Sequence, residues 1–326
     1  MSASLYPFTF HPLFKERVWG GRRLETLFGK ALPPGPPIGE AWEISDRPGD
    51  ASVIANGALA GRDLHWLMQH HERALLGAAH AQTGRFPLLI KILDAQDTLS
   101  LQVHPPAAKA VELGGEPKTE MWYLADATPD ACLHVGLRRG ATRSEFERRI
   151  ADGTVAECFH RLPVRTGDAM FLPSGRVHAI GAGCVIFEIQ QNSDTTYRVF
   201  DWNRLGLDGK PRTTHVRESL ASIDFSDFEP ALLPDQPHPE AAARVRPLVR
   251  DPLFRVDHLT LPAGQNLTLT GNRTVILGLL AGRLLVPSAA HPVELRPGGF
   301  CLVPAAALPV AIHASTEATF LRAIPG

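Results

Sequence analysis

The stretch TLSLQVHPP (98–106) ends an apolar run with an amide and an imidazole, Gln102 and His104, and then two prolines. Residues two apart on a strand project to the same face, so both side chains meet whatever lies on that side. The next strand-like run, EPKTEMWYL, offers Lys118 and Glu120 at the same spacing. Further on, GDAMFLPSGRVHAI (167–180) carries Gly167, Pro173, Gly175 and His178 in the pattern Gly-x5-Pro-x-Gly-x2-His. That pattern describes a strand, a tight turn and a returning strand, with proline fixing the backbone and glycine permitting a positive φ. Gln102, His104, Glu120 and His178 can therefore converge on one metal at a barrel mouth. Two neutral imidazoles, one carboxylate and one amide oxygen suit Zn²⁺ better than Mn²⁺ or Fe²⁺. One carboxylate leaves the centre with a formal charge of about +1, a Lewis acid for a carbonyl or hydroxyl oxygen. A lone strand-end histidine is more often structural, and a Gln-x-His pair is weak by itself. The combination carries the metal reading.

These residues need strands to hold them. Glycine and proline number 28 each and punctuate short apolar runs, the pattern of a mainly β chain. Strands are expected at 86–94, 99–104, 120–127, 132–137, 169–173, 185–191 and 197–200. Helical spacing over 61–77 places Leu64, Leu67, Met68, His71 and Leu75 on one face. Two shorter helices are expected at 105–115, between prolines and glycines, and at 142–150, where Thr142 and Glu145 form a capping-box pattern. The Pro-rich run 229–252 has weak periodicity and reads as a connector. Strand-like runs follow it. The expected organisation is a metal-binding domain with helical insertions over 1–228, the connector, and a second small β-domain over 253–326. In the latter, GGFCLVPAAALPV repeats the start of the motif at Gly298 and Pro304, but Pro309 stands at the histidine position. A degenerate barrel without a metal is the natural reading.

The chain of 326 residues is long enough for one large domain or two ordinary ones. A formal charge of −1 argues against a general nucleic-acid or membrane-surface binder, so an anionic ligand must be met by local lysines and arginines. The first residues lack the basic start and apolar core of a signal peptide. Cys132, Cys158, Cys184 and Cys301 have no CxxC spacing and read as reduced thiols of a cytoplasmic protein.

The Gly167–His178 pattern resembles the second motif of the cupin family, with Ala182 where that motif usually ends in asparagine. The resemblance widens over VWGGRRLETLFG (18–29), PIGEAWEIS (37–45), FPLLIKILDAQDTLSLQVHP (86–105), GEPKTEMWYL (115–124), GDAMFLPSGRVHAIGAG (167–183) and FEIQQNSDTTYRVFDWNRLGLDGKPRTTH (187–215). Together these are similar to the type I mannose-6-phosphate isomerases of the short bacterial form. The resemblance implies two cupin-type jelly-roll barrels, with a few helices inserted in and flanking the first. It implies one zinc ion per chain on Gln102, His104, Glu120 and His178. The implied activity is interconversion of mannose 6-phosphate and fructose 6-phosphate. It places Lys118 and Arg198 as catalytic groups, Lys91 and Ser100 as phosphate contacts, and Trp19 in the substrate cleft, with core packing an equal reading for Trp19. The expected ligand is a small sugar phosphate, with no nucleic-acid or membrane partner and a monomer as the expected unit.

Aldose–ketose isomerisation moves a proton between C1 and C2 through an enediolate, so it needs a base and cations for the developing oxyanion. Glu188, Asp201, Lys118 and a zinc-bound water all remain open as the base. Glu188 reads first as a salt-bridge partner, and Asp201 as a group that orients Arg198 or caps a turn. Glu40 and Trp42 read as structural. His65, His70 and His71 sit at mixed helical phases and read as partly solvated. His215 falls in the similar region with no role of its own. Two rivals stand beside the isomerase: a non-catalytic sugar-binding cupin, and an isomerase of the same fold acting on another sugar.

Overall fold

The computed structural model describes residues 5–81 and 83–326. It is mainly β and built as two antiparallel barrels, each made of two facing sheets. In the first barrel, one sheet runs in the order Ala169–Leu172, Glu120–Ala127, Cys184–Gln191, Leu88–Ala95, Ile38–Ile44 and Leu13–Gly21. The facing sheet runs Phe159–Pro163, Cys132–Leu137, His178–Ile180, Leu101–Val103 and Tyr197–Phe200. The second barrel repeats the scheme with a six-stranded sheet centred on Phe254–Leu261 and Ala318–Pro325, and a four-stranded sheet facing it.

Strand periodicity decides which residues can do chemistry. The strands Leu88–Ala95 and Cys184–Gln191 are buried along their whole length, because both faces of their sheet are covered. One face carries Leu93, Trp122, Leu124 and Ile186 into the interior of the first barrel. The opposite face carries Ile90, Ile92, Met121, Tyr123, Phe187 and Ile189 against Phe254, Ile276, Phe300 and Leu302 of the second barrel. Lys91, Glu120 and Glu188 share the parity of the first set, so they point into the barrel. On the facing sheet, His178 lies opposite Gln102, and Gln102 lies opposite Arg198.

The helices cover barrel edges. Leu64–Leu76 starts where the Asp63 carboxylate accepts from Trp66 N at 2.7 Å, and buries Leu64, Leu67, Met68, Leu75 and Leu76. Arg143–Ala151 is capped by Thr142, whose Oγ1 accepts from Glu145 N at 3.1 Å. Glu145 instead pairs with Arg149, one turn on. The helix expected over 105–115 is reduced to Ala107–Ala110. The four cysteines are buried and unpaired. Among the described residues no helix is long and apolar enough to cross a membrane.

The run read as a connector is corrected in its second half. His238–Glu240 and Ala243–Arg250 are strands of the second barrel's larger sheet. Pro247 hid the second of these from sequence reading. It sits where the register with Phe254–Leu261 shifts, a bulge that tolerates a residue without an N–H. The strands Leu13–Gly21 and Ile38–Ile44 were not anticipated as elements and complete the site-bearing sheet.

Phe187 is fully buried where the barrels meet, with ring centroids 5.6 Å from Phe28 and 5.2 Å from Phe300. Phe187→Ala is expected to cost about 3–5 kcal/mol in denaturant unfolding, since neighbours from two barrels cannot both collapse into the gap. At the same interface His258 stacks on Tyr123 at 5.2 Å. Burial, with Arg246 adding to it, pushes the His258 pKa down from 6.5 to about 4. The folded chain therefore leaves this imidazole neutral while the unfolded chain protonates it, and stability falls as pH drops from about 6.5 towards 4. His258→Phe is expected to show a smaller fall in Tm across that window than the parent protein.

Candidate active site

The first barrel opens on a cavity of about 540 Å³. Trp19, Lys91, Ser100, Gln102, Lys118 and Arg198 all line it. Beneath them, His104, Glu120 and His178 are almost fully buried, and their potential ligand atoms lie within 4.8 Å of one another. Six strands, all in the two sheets of the first barrel, supply these residues, apart from Ser100, His104 and Lys118, which lie just outside strand ends.

The hydrogen bonds of the two imidazoles settle their tautomers. His104 Nδ1 lies 2.8 Å from Thr195 O, and His178 Nδ1 lies 2.9 Å from Arg176 O. A carbonyl oxygen can only accept, so each Nδ1 carries the proton. In the neutral ring Nε2 is then a bare lone pair. Those Nε2 atoms point at Glu120, at 3.6 Å from Oε2 for His104 and 3.4 Å from Oε1 for His178. Burial, chiefly, holds the His178 pKa down at about 3 and lowers that of His104 as well. Burial opposes ionisation of Glu120, but the adjacent Lys118 ammonium outweighs it and holds its carboxyl well below the usual range. Both Glu120 oxygens are buried without a hydrogen bond of good geometry. Three electron-pair donors thus face one another in a desolvated spot, where the Lys118 ammonium offsets part of their mutual repulsion and a divalent cation would offset it more fully. The donor set fits a divalent metal. Gln102 could join it: its Nε2 lies 3.3 Å from His178 Nε2, and a half-turn of the amide would bring its oxygen there instead. Ser100 Oγ lies 3.3 Å from the other end of that amide and, as a hydroxyl that both donates and accepts, can hold it in either orientation.

Lys118 approaches the same spot, its Nζ 2.5 Å from Glu120 Oε2 and 3.3 Å from His104 Nε2. Burial works against its charge, yet Glu120 and Glu188 prevail and raise its pKa, so it stays an ammonium. Glu188 faces Lys91 and Trp122 across neighbouring strands. Its Oε1 accepts from Trp122 Nε1 at 2.9 Å, while its Oε2 lies 3.4 Å from Lys91 Nζ. Desolvation raises its pKa.

Lys91 lines the cavity, but its charge is already matched. Its Nζ lies 3.5 Å from Glu40 and 3.4 Å from Glu188, and 4.9 Å over the Trp42 ring. It is the centre of an ion-pair network. Glu40, read from sequence as structural, is the missed member. It lines the cavity, accepts from Arg17 Nε at 2.7 Å and Trp42 Nε1 at 2.6 Å, and its pKa falls to about 2 because Lys91 and Arg17 overcome its burial. Its alternation with Trp42 in the strand Ile38–Ile44 was the available signal.

Arg198 differs from the lysines. Its Nη1 donates to Thr213 O at 2.7 Å, its Nε is buried without a partner, and among the described residues it pairs with no carboxylate. His215 supports its backbone: His215 N donates to Arg198 O at 2.8 Å, and Arg198 N donates to His215 Nδ1 at 3.2 Å. Asp201 does not orient Arg198 by an ion pair. It binds Arg204 and Arg212, at 2.9 Å and 2.5 Å, so it is committed elsewhere. Trp19 is both things at once, buried in the barrel core and lining the cavity. His65 pairs with Asp46 and His70 with Trp66 O on the flanking helix, outside this site.

Comparison with known proteins agrees with this geometry. Residues 8–133 match the model of the phosphomannose isomerase type I catalytic domain. A mannose-6-phosphate isomerase of Streptococcus mutans is 35% identical over 302 residues, covering 90% of this chain and 92% of its own. The mannose-6-phosphate isomerase ManA of Bacillus subtilis is 42% identical over 220 residues, covering 67% of this chain and 68% of its own. The crystal structure of a mannose 6-phosphate isomerase from Bacillus subtilis superimposes with a TM-score of 0.89 at 29% identity, over 98% of this chain and 99% of that one. Two relatives matched along two thirds or more of their length, and a fold shared from end to end, establish that the chain belongs to the type I phosphomannose isomerase family.

Proposed function

We propose that the chain interconverts mannose 6-phosphate and fructose 6-phosphate through an enediolate, using one zinc ion held by Gln102, His104, Glu120 and His178. The observation that carries this reading is the convergence of two imidazole Nε2 atoms on one buried carboxylate, itself paired with Lys118, at the floor of a sugar-sized cavity. A zinc ion there would supply a Lewis acid to the carbonyl and hydroxyl oxygens at C1 and C2.

The chain's own residues do the rest. Lys118, an ammonium at the cavity floor, donates to the oxygen on which charge develops and holds that charge in a low-dielectric wall. Glu188 is the carboxylate best suited to move the proton. It lines the cavity, its Oε2 has no hydrogen bond of good geometry, and burial raises its pKa towards that of a useful base. It would take the proton from C2 of the aldose and return it to C1. Asp201 is held by two arginines, and Lys118 is held protonated, so neither suits this role. Trp19 and the covered walls keep bulk water from the enediolate. Buried unpaired cysteines agree with a cytoplasmic setting.

Purified protein is expected to convert mannose 6-phosphate to fructose 6-phosphate, to lose activity on chelation and to regain it with zinc. A folded, zinc-loaded sample without turnover would break the substrate assignment and favour a sugar-binding cupin. Unphosphorylated mannose turned over equally well would point to another substrate of the same fold. His104→Ala removes one of two imidazole donors and is expected to lose bound zinc, by metal analysis, together with at least about 100-fold in activity, as ligand loss at a metal centre does. Full zinc and full activity in that variant would sink the assignment.

A further inference from the structure

The wall of the cavity farthest along the sheet from His178 is not a strand. It is a hairpin over residues 201–212 that follows the strand Tyr197–Phe200. Leu205 and Pro211 bridge across it, and Gly206 N donates to Lys210 O at 2.7 Å. Gly209 turns it with φ 73°. The Trp202 indole fastens its base by donating to Leu99 O at 2.8 Å. Gly206, Leu207, Asp208 and Arg212 of this hairpin line the cavity.

The charges on this wall are unevenly matched. Asp201 is 6% exposed and accepts from Arg212 Nε and Nη2 at 2.7 Å and 2.5 Å, and from Arg204 Nε and Nη2 at 3.1 Å and 2.9 Å. Arg204 turns outward to Thr98 O and Asp97. Arg212 and Arg198 face the cavity with less than one carboxylate between them. Burial and the nearness of Arg212 both work against the Arg198 charge, which is the strain an anion would relieve. Asp208 turns its carboxylate back on its own hairpin, accepting from Lys210 N at 3.0 Å. The other buried cavity cations, Lys91 and Lys118, are already paired.

We propose that Arg212, held in place by Asp201, joins Arg198 as the phosphate-reading pair of the cavity, so that the 201–212 hairpin sets selectivity for a phosphorylated sugar. The inference rests on the isomerase reading above and adds to it the group that recognises the substrate's far end. The register supports the span. His178, Gln102 and Arg198 lie side by side on consecutive strands, so Arg198 is one interstrand spacing from Gln102 and two, about 10 Å, from His178. That is the length scale between the reacting carbons and the phosphate of a hexose 6-phosphate. A guanidinium fork whose orientation is fixed by a carboxylate behind it suits a phosphate monoester, which carries a charge of about −1.5 to −2.

The test uses zinc-loaded protein with Arg212→Ala, Arg212→Lys and Asp201→Asn, each checked for an unchanged fold. Calorimetry with inorganic phosphate reads anion binding without turnover, and steady-state kinetics with mannose 6-phosphate reads KM and kcat. Arg212→Ala is expected to weaken phosphate binding and raise KM by roughly ten-fold, the worth of about one charge-assisted contact, with a smaller fall in kcat. Arg212→Lys should recover part of that loss, and Asp201→Asn should move both values the same way by less. Unchanged phosphate affinity and KM in folded Arg212→Ala would overturn the proposal. So would a loss confined to kcat, which would put Arg212 at the reacting atoms. Arg212-dependent phosphate binding in a protein that isomerises nothing would uphold the phosphate-reading pair and overturn the isomerase reading.

Discussion

Two backbone carbonyls govern the chemistry of this protein. Thr195 O and Arg176 O each take the Nδ1 proton of an imidazole, and so turn the Nε2 lone pairs of His104 and His178 onto Glu120. Neither carbonyl is chosen by its own side chain. Each is placed by a turn that the barrel closes. Once the imidazoles are fixed, the buried carboxylate has no donor of good geometry except a cation. The remaining polar groups of the cavity arrange themselves around that centre.

That arrangement depends on a sheet with both faces buried. The strands Leu88–Ala95, Glu120–Ala127 and Cys184–Gln191 send one parity outward into the contact with the second barrel and the other parity inward. Lys91, Glu120, Trp122 and Glu188 are all of the inward parity, and the strand register sets Glu188 beside both Lys91 and Trp122. A slip of one residue would bury these charges between the barrels, where nothing could pair them. The apolar contact of Phe187 with Phe28 and Phe300 therefore protects the register of the site. The second barrel brings no residue to the cavity, but it holds the sheet that does.

The cavity sorts its cations by what neutralises them. Lys118 is spent on Glu120, and Lys91 on Glu40 and Glu188. Buried ammonium groups so paired shape the field of the site, and their charge is largely matched before any substrate arrives. The guanidiniums at the far wall are left under-matched, and a polar substrate with one charged end would lie between the two regions. The charge pattern is thus directional, although the net charge of the chain is only −1.

Much of this was legible in the sequence. Period-two spacing put Gln102 with His104, and Lys118 with Glu120, on common faces, and the glycine–proline turn pattern placed His178. Local spacing determines facing because strand geometry is regular. The sequence also carried many strands of both barrels, though it missed Leu13–Gly21 and Ile38–Ile44 and lost Ala243–Arg250 to the proline at its bulge. What spacing could not reveal is which charges find each other across strands far apart in the chain. Nothing in the spacing told that Ile38–Ile44 would lie beside Lys91 and pair it with Glu40. Asp201 read as a partner for Arg198, but Arg204 and Arg212 fold back onto it instead. Ion pairing and desolvation depend on three-dimensional neighbours, so the residue types were written in the chain, while their protonation and their division of labour were decided only when the barrel closed.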